Sequence, residues 1–411
     1  MQKVQTRLSG QERYSYHASK GQVAVSRARH LTIACICADL LPGHLGGAEH
    51  HVVEVIKRLG KHHHLYLFVG PDTSIKHQLP PQVDVIPIYY PKLPNLYGVS
   101  FIFFGFWQIL WYLLNRPIDL IWAKQSFPQA PLGALIKIMF GKPLYITAQN
   151  PMLHQQELVV KGSLFSHLHH QLANLITPII SWSLSRADLV AAVSHYSGEL
   201  AKNLGATNIH IVPNGVNLSP LPKVAKPKTF SIISCSSLID RNGLDTLINA
   251  VYLLPQSLRW QLSIAGSGPE FNHLQAQINR LGISSQVKLL GSVDNHRIPK
   301  LLSDSHVFVR PSRREGFGVA FIEAMSFKLP VIATPVGGIV DFITDHHTGL
   351  LALPNDATSV ARCLKALYKD KVLAKKLASN GYKLVKTKYT WDKISHQIES
   401  LWLKLCNSAT G

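Results

Sequence analysis

The chain has 411 residues, 46% of them hydrophobic and 16% charged, with 42 basic against 23 acidic side chains and a formal net charge of +19. That length predicts two core-bearing domains of roughly 200 residues each; the apolar fraction excludes intrinsic disorder, and five cysteines in so long a chain exclude a disulfide scaffold. The excess charge is shared, +8 before Leu218 and +11 from there on, with no run of five Lys or Arg. Nucleic acid, an anionic membrane surface and phosphorylated substrates are all compatible with it.

Residues 1–30 are polar and basic and lack a signal-peptide apolar stretch, so they read as a flexible basic extension of a cytoplasmic protein. From Leu31 the pattern is strand, turn, helix: LTIACICADL, PGHLGG, then AEHHVVEVIKRL at helical spacing. Further strands are expected at 65–69, 83–88, 118–123, 143–148 and 188–194, most of them separated by helical stretches. That alternation predicts a parallel, doubly wound sheet over 31–218. Cys35 and Cys37 lie in an apolar strand and, like Cys235, read as buried free thiols of a reducing compartment. His50-His51 and His62-His63-His64 read as solvated surface rather than a metal site, since no acid or cysteine stands at a ligand spacing.

The segment 101–114, FIFFGFWQILWYLL, is nearly all apolar, and no charge falls between Lys92 and Arg116. A membrane span needs about 20 apolar residues, and only 14 are continuous here. Gly105, Gln108, Tyr112 and Asn115 add a weak polar stripe at helical spacing. The crossover from strand 83–88 to strand 118–123 also requires a helix on the sheet. The segment therefore reads as a buried crossover helix, with a membrane-surface or partner contact as the second reading.

A Pro/Lys-rich linker at 219–228 precedes a second series of strands at 230–237, 260–266, 287–291, 306–311, 329–334 and 349–353. The expected architecture is two Rossmann-like α/β domains, 31–218 and 229–388, with a cleft between them. A final helix within 389–411 is placed to return to the first domain.

The most informative stretch is PSRREGFGVAFIEAM, 311–325. A strand leads into Gly316-Phe317-Gly318 and then a helix, whose first amides and dipole suit a diphosphate. Glu315 stands at the mouth and Glu323 about one turn inside, and a carboxylate accepts two hydroxyl hydrogen bonds from a sugar diol.

With these residues the sequence resembles the family 4 glycosyltransferases, retaining enzymes of the GT-B fold. LPGHLGGAEHHVVEVIKRL, AVSHYSGELAKNLGATNIHIVPNGVNL, LSIAGSGPEFNHL, GSVDNHRIPKLLSDSHVFVRPS, the Glu-x7-Glu motif and LPVIATPVGGIVDFITDHHTGLL follow in register from Leu31. The resemblance implies that Glu323 binds the nucleotide ribose and that Gly316, Phe317 and Gly318 present amides to the diphosphate and sugar. Glu315 would contact the transferred sugar, and Gly46 and Gly47 the donor phosphate. Gly291-Ser292-Val293 would read the base, with Gly266 on the neighbouring loop of the donor site. No metal cofactor is implied, because cationic side chains and helix amides carry the leaving group's charge. The partners it implies are a nucleotide sugar and a glycan or lipid-linked acceptor.

Two departures from the family pattern stand out. An Arg and a Lys that normally neutralise the diphosphate read Ser237 and Asn242, with Arg241, Arg313 and Arg314 as nearby substitutes. A His that normally follows the strand at 143–148 reads Gln149, with His154 close by. Catalysis is accordingly assigned to Glu315, Arg241 and Gln149, and donor binding includes Asn242. A catalytically weak GT-B protein that binds a nucleotide sugar or a glycan is the alternative. PGHLGG lacks the G-x-G-x-x-G of a dinucleotide oxidoreductase, and no nucleic-acid recognition module is present. The basic surface and the 101–114 helix favour a protein peripheral on the inner face of a membrane.

Overall fold

In the computed structural model, described for residues 29–38, 40, 47–93, 96–149, 166–220, 226–255 and 257–408, the chain builds two parallel sheets. The first series is β1 (Thr32–Ile36), α1 (Gly47–Leu59), β2 (His64–Val69), β3 (Val83–Pro87), α2 (Tyr97–Leu113), β4 (Leu120–Ala123) and α3 (Gln129–Phe140). It continues with β5 (Leu144–Ala148), α4 (Ser166–Ser185), β6 (Leu189–Ala192), α5 (His195–Asn203) and β7 (Ile209–Ile211). These seven strands lie in the order β3-β2-β1-β4-β5-β6-β7, every pair parallel.

Both faces of this sheet are apolar, as a parallel sheet clad by helices requires. Successive residues of β1 alternate between two cores. Ile33 and Cys35 pack with Leu67, Trp122 and α1, whereas Ala34 and Ile36 pack with Phe68, Ile121 and the α2–α3 layer.

The second series is β8 (Phe230–Cys235), α6 (Leu244–Tyr252), β9 (Trp260–Ala265), α7 (Phe271–Arg280), β10 (Val287–Leu289), α8 (Ile298–Ser303) and β11 (Val307–Val309). After it come α9 (Val319–Ser326), β12 (Val331–Ala333), β13 (Leu350–Leu351), α10 (Ala357–Lys369), α11 (Lys371–Lys388) and α12 (Trp391–Ser408). The six strands are parallel in the order β10-β9-β8-β11-β12-β13. In each sheet the order reverses beside the first strand, at β1/β4 and at β8/β11, so the crevices open at the carboxyl ends of those strands.

Helix α12 belongs to the first sheet's core: Trp391, Ile394, Ile398 and Trp402 are buried against α1 and β1, with the Trp402 and Trp122 rings 5.2 Å apart. Between the domains, Val216 pairs with Thr390. The Ser194 hydroxyl donates to the Gly316 carbonyl at 2.6 Å, and the His195 amide donates to Asp341 at 2.8 Å.

Two expectations change. His51 and His63 are buried rather than solvated. His63 accepts the Leu31 amide at 3.2 Å on Nδ1, and its Nε2 stands 3.0 Å from Glu399, so it ties β1 to α12. Helix α2 buries one face, Gly98, Ser100, Phe101, Gly105, Ile109 and Leu113, and leaves its outer arc exposed. The Gln108 side-chain amide pairs with both backbone groups of Tyr89, at 3.0 and 2.8 Å. Among the described residues no helix is long and apolar enough to cross a membrane.

Candidate functional site

The second sheet's switch point is built by the segments that leave β8 and β11. Gly318 caps α9 with φ +97°, a conformation open to glycine and costly for residues with a Cβ. That turn brings the first amides of α9 to the carboxyl edge of β11. Phe317 is buried, its ring 5.2 Å from Phe342 and 5.8 Å from Tyr389. Its side chain therefore anchors the turn, and only its backbone faces the cleft side. Gly316 is held by the hydrogen bond from Ser194 across the domain boundary.

Glu315 pairs directly with the Arg310 guanidinium, and Glu323 lies within reach of the same charge. Arg310, buried at the end of β11, forms a short ion pair with Glu315 Oε2, donates from Nε to Ser312 Oγ at 3.1 Å and lies 4.8 Å over the Phe321 ring. Glu315 Oε1 also accepts the Gly316 amide at 3.1 Å. Burial pushes the Glu323 carboxyl above the usual carboxylate range, and the Arg310 charge opposes that rise. Glu323 lines an interdomain pocket of about 340 Å³ with His50, Asn217, Asn295, Ile298 and Trp391.

The neighbouring loops complete the rim. Gly266 follows β9 with φ +146°, and a Cβ there would stand 1.8 Å from the Ser236 carbonyl, so no larger residue fits. The Gly266 amide donates to the Gly291 carbonyl at 2.8 Å, which joins this loop to the half-buried Val293 segment. Asn242 is buried, and its amide donates to the Ser237 carbonyl at 2.7 Å, closing the loop on itself. The Arg241 carbonyl accepts the Arg313 amide at 2.7 Å, so the loops after β8 and β11 dock together. The Arg313 guanidinium is engaged by Asp245 at 2.7 Å and Asn355 at 2.6 Å, which makes it a brace.

On the first domain, Gln149 follows β5. Its Nε2 donates to Asn214 Oδ1 at 3.1 Å, and His51 Nδ1 lies 2.9 Å from the same oxygen. One carbonyl oxygen facing two nitrogens assigns the His51 proton to Nδ1. Burial and the Lys124 charge hold this imidazole well below its ordinary pKa, so it is neutral at pH 7. Lys124, at the end of β4, is 1% exposed, and its Nζ has no hydrogen-bond partner among the described residues. Burial lowers its pKa from 10.5 to about 8.

The structure thus brings Glu315, Gly316, Phe317, Gly318 and Glu323 to one edge, with Gly266 and Val293 on adjoining loops and Gln149 across the cleft. Gly47 begins α1; Gly46 and His154 lie outside the described residues. Arg310, His51, Asn214 and Ser194 lie inside segments that carry the family resemblance but were assigned no site role, and Lys124 lies outside those segments. Only their positions at strand ends or helix starts hinted at them. Among the described residues no group of three His, Cys, Asp or Glu side chains is placed to hold a metal.

Comparison with known proteins matches residues 45–220 to the model described as Glycosyltransferase Family 4 and residues 221–384 to Glycosyl transferases group 1. An uncharacterized glycosyltransferase of Methanocaldococcus jannaschii is 26% identical over 366 residues, 88% of this chain and 95% of that one. The phosphatidylinositol N-acetylglucosaminyltransferase gpi3 subunit of Schizosaccharomyces pombe is 24% identical over 376 residues, 88% of this chain and 78% of its own length. Among solved structures, Anabaena HepE in complex with UDP-glucose superposes with a TM-score of 0.72 at 22% identity, covering 91% of this chain and 100% of that one.

Proposed function

This chain belongs to family 4 of the glycosyltransferases, retaining enzymes of the GT-B fold that take a sugar from a nucleotide sugar, and from that premise we propose that it glycosylates a hydroxyl of a glycan or lipid-linked acceptor without a metal. The observation that carries this reading is the convergence of Glu315, Glu323 and the Gly316–Gly318 turn on the β11 edge beside an interdomain pocket. A uridine diphosphate sugar is the proposed donor, in line with the ligand of HepE.

In this reading Glu323 accepts the ribose hydroxyls and the α9 amides face the diphosphate. Arg310 holds Glu315 in place through their ion pair, and the carboxylate stabilises the positive charge that develops at the anomeric carbon. The bond from that carbon to the phosphate oxygen breaks while the acceptor oxygen bonds on the same face. The acceptor's proton passes to the departing phosphate. Gln149, fixed through Asn214, donates from the opposite wall to a sugar hydroxyl. A thermal-shift series with UDP, GDP, ADP and their sugars tests the donor, because a ligand of the native state raises its apparent stability. Stabilisation by UDP and UDP-sugar alone is expected; no shift with any nucleotide would remove this reading.

A second reading has its own observation. Asn242 closes its loop on Ser237, where the family places cations, so the chain can bind a donor with little turnover. Slow hydrolysis of the bound UDP-sugar separates the two: turnover above the protein-free rate favours the enzyme. The proposed location is the inner face of a membrane, with the lipid-linked acceptor presented from it.

A further inference from the structure

Resting on the reading of a lipid-linked acceptor, we propose that the outer arc of α2, extended by the last turn of α3 and the segment entering α2, is a surface that docks on an anionic bilayer. The arc is continuous. Val99, Phe103, Trp107 and Trp111 recur every four residues, flanked by Leu96, Phe104 and Leu114, and all are exposed. Trp107 keeps 55% and Trp111 77% of its surface in water. Two neighbouring tryptophans so exposed are a poor fit to a surface that meets only solvent.

The neighbours enlarge the patch. A Cβ at Gly98 would meet the Phe127 ring, and one at Gly105 would stand 2.9 Å from Leu132, so α2 and α3 run side by side in the same direction. The exposed Ile138 and Met139 of α3 therefore sit level with the last turn of α2. At the other end, exposed Tyr89 and Leu93 carry the apolar surface to the carboxyl edge of the sheet, where the cleft opens.

Charge selects the occupant. No acidic residue occurs between Asp84 and Asp119, nor from Lys124 to Ala148, whereas Lys92, Arg116, Lys137 and Lys142 rim these helices. Lys137 is held by Asp188, and the Arg116 guanidinium lies 3.9 Å over the Tyr112 ring. A second copy docked about a two-fold axis would place this cationic rim against itself, and neither α2 nor α3 carries an acidic residue to answer it. An anionic lipid surface complements it, and aromatic rings at headgroup depth with bases at the rim match the interfacial pattern. The sheet covers the side of α2 that an isolated interfacial helix would turn to water, so α2 needs no polar face of its own. Docked this way, the apolar margin at Tyr89 and Leu93 joins the bilayer to the cleft mouth, a path for an acceptor with a lipid tail.

The test is flotation of the full chain with vesicles of phosphatidylcholine alone and of phosphatidylcholine with phosphatidylglycerol in equal parts, at low and high salt. Binding to the anionic vesicles at low salt is expected, weakening with salt. In the double variant Trp107→Ser/Trp111→Ser it should fall by roughly tenfold or more, and in Arg116→Glu by a smaller factor. Both variants should keep the unmodified chain's thermal midpoint and its shift with UDP, which reports the donor site separately from docking. No binding at low salt, equal binding by the double variant, or a concentration-dependent dimer that the tryptophan substitutions abolish would each overturn the proposal.

Discussion

Replacing Lys124 with Met should stabilise this protein, because the wild-type side chain carries an ammonium into the first domain's interior with nothing among the described residues to receive its protons. The stem is fully buried at the end of β4, its Nζ has no hydrogen-bond partner among the described residues, and burial moves the pKa from 10.5 to about 8. Glu49 and the thiols of Cys35 and Cys37 offset only part of that fall. A pKa lowered by this amount corresponds to about 3 kcal/mol at neutral pH. Met preserves the length of the apolar stem and removes the charge, as when a buried ion is exchanged for an isosteric hydrophobe. The sign follows from proton linkage. Below about pH 8 both states hold the proton and the folded state bears the full cost. Between about pH 8 and 10.5 the unfolded chain binds the proton more tightly, so wild-type stability gains on the variant as pH rises and the advantage of Met shrinks. Urea denaturation of both proteins at pH 7, 8.5 and 10 measures this. The expected difference is roughly 2–3 kcal/mol in favour of Met at pH 7, or a midpoint about 5–10 °C higher on heating, falling toward zero at pH 10. A variant less stable than wild type at pH 7, or a difference that does not change with pH, would refute the reasoning.

Other substitutions address the site itself. Glu323→Ala should weaken UDP binding, read as a lost thermal shift, by roughly tenfold for one charged hydrogen-bond acceptor. Glu315→Gln should leave that shift in place and lower turnover of a donor sugar by about a hundredfold, as loss of transition-state charge stabilisation does. Arg310→Gln strands the Glu315 carboxylate and should cost about 3 kcal/mol in urea denaturation; pairing it with Glu315→Gln should restore most of that loss, and strict additivity of the two would count against the pair. Gly266→Ala meets the Ser236 carbonyl and should lower the thermal midpoint by several degrees through the second domain alone.

The candidate site was legible in proportion to how local it is. Gly316-Phe317-Gly318 and Glu315 with Glu323 are fixed by spacing within one strand, turn and helix, so their convergence follows from helical geometry. Asn242 and Ser237 were legible as departures, but not as a closed hydrogen-bonded loop. Arg310 was invisible. It reads as one more residue of an apolar strand, and its weight comes from α9 folding back to place Glu315 and Phe321 around it. Gln149 was legible as a loop amide. Its neighbours Asn214 and His51 come from chain positions far apart and meet only because β5, α1 and the segment after β7 share one sheet edge.

Alternating apolar strands and helical stretches determined two parallel sheets from sequence alone, because the period of two and the period of 3.6 are properties of the backbone. What they left undecided is which apolar surface is covered. Helix α2 is apolar around nearly its whole circumference, and its weak stripe of Gly105, Gln108 and Tyr112 does not mark the outer face, since Gly105 is buried and Trp111 is exposed. Only the placement of β3, α3 and the Tyr89 segment shows that Phe101 and Ile109 are inside while Trp107 and Trp111 are left in water. The histidines show the converse. Polar type suggested a solvated surface, and the packing of α12 on α1 and β1 buried His51 and His63 among tryptophans. Burial is a property of neighbours, and neighbours distant in sequence are set by tertiary structure.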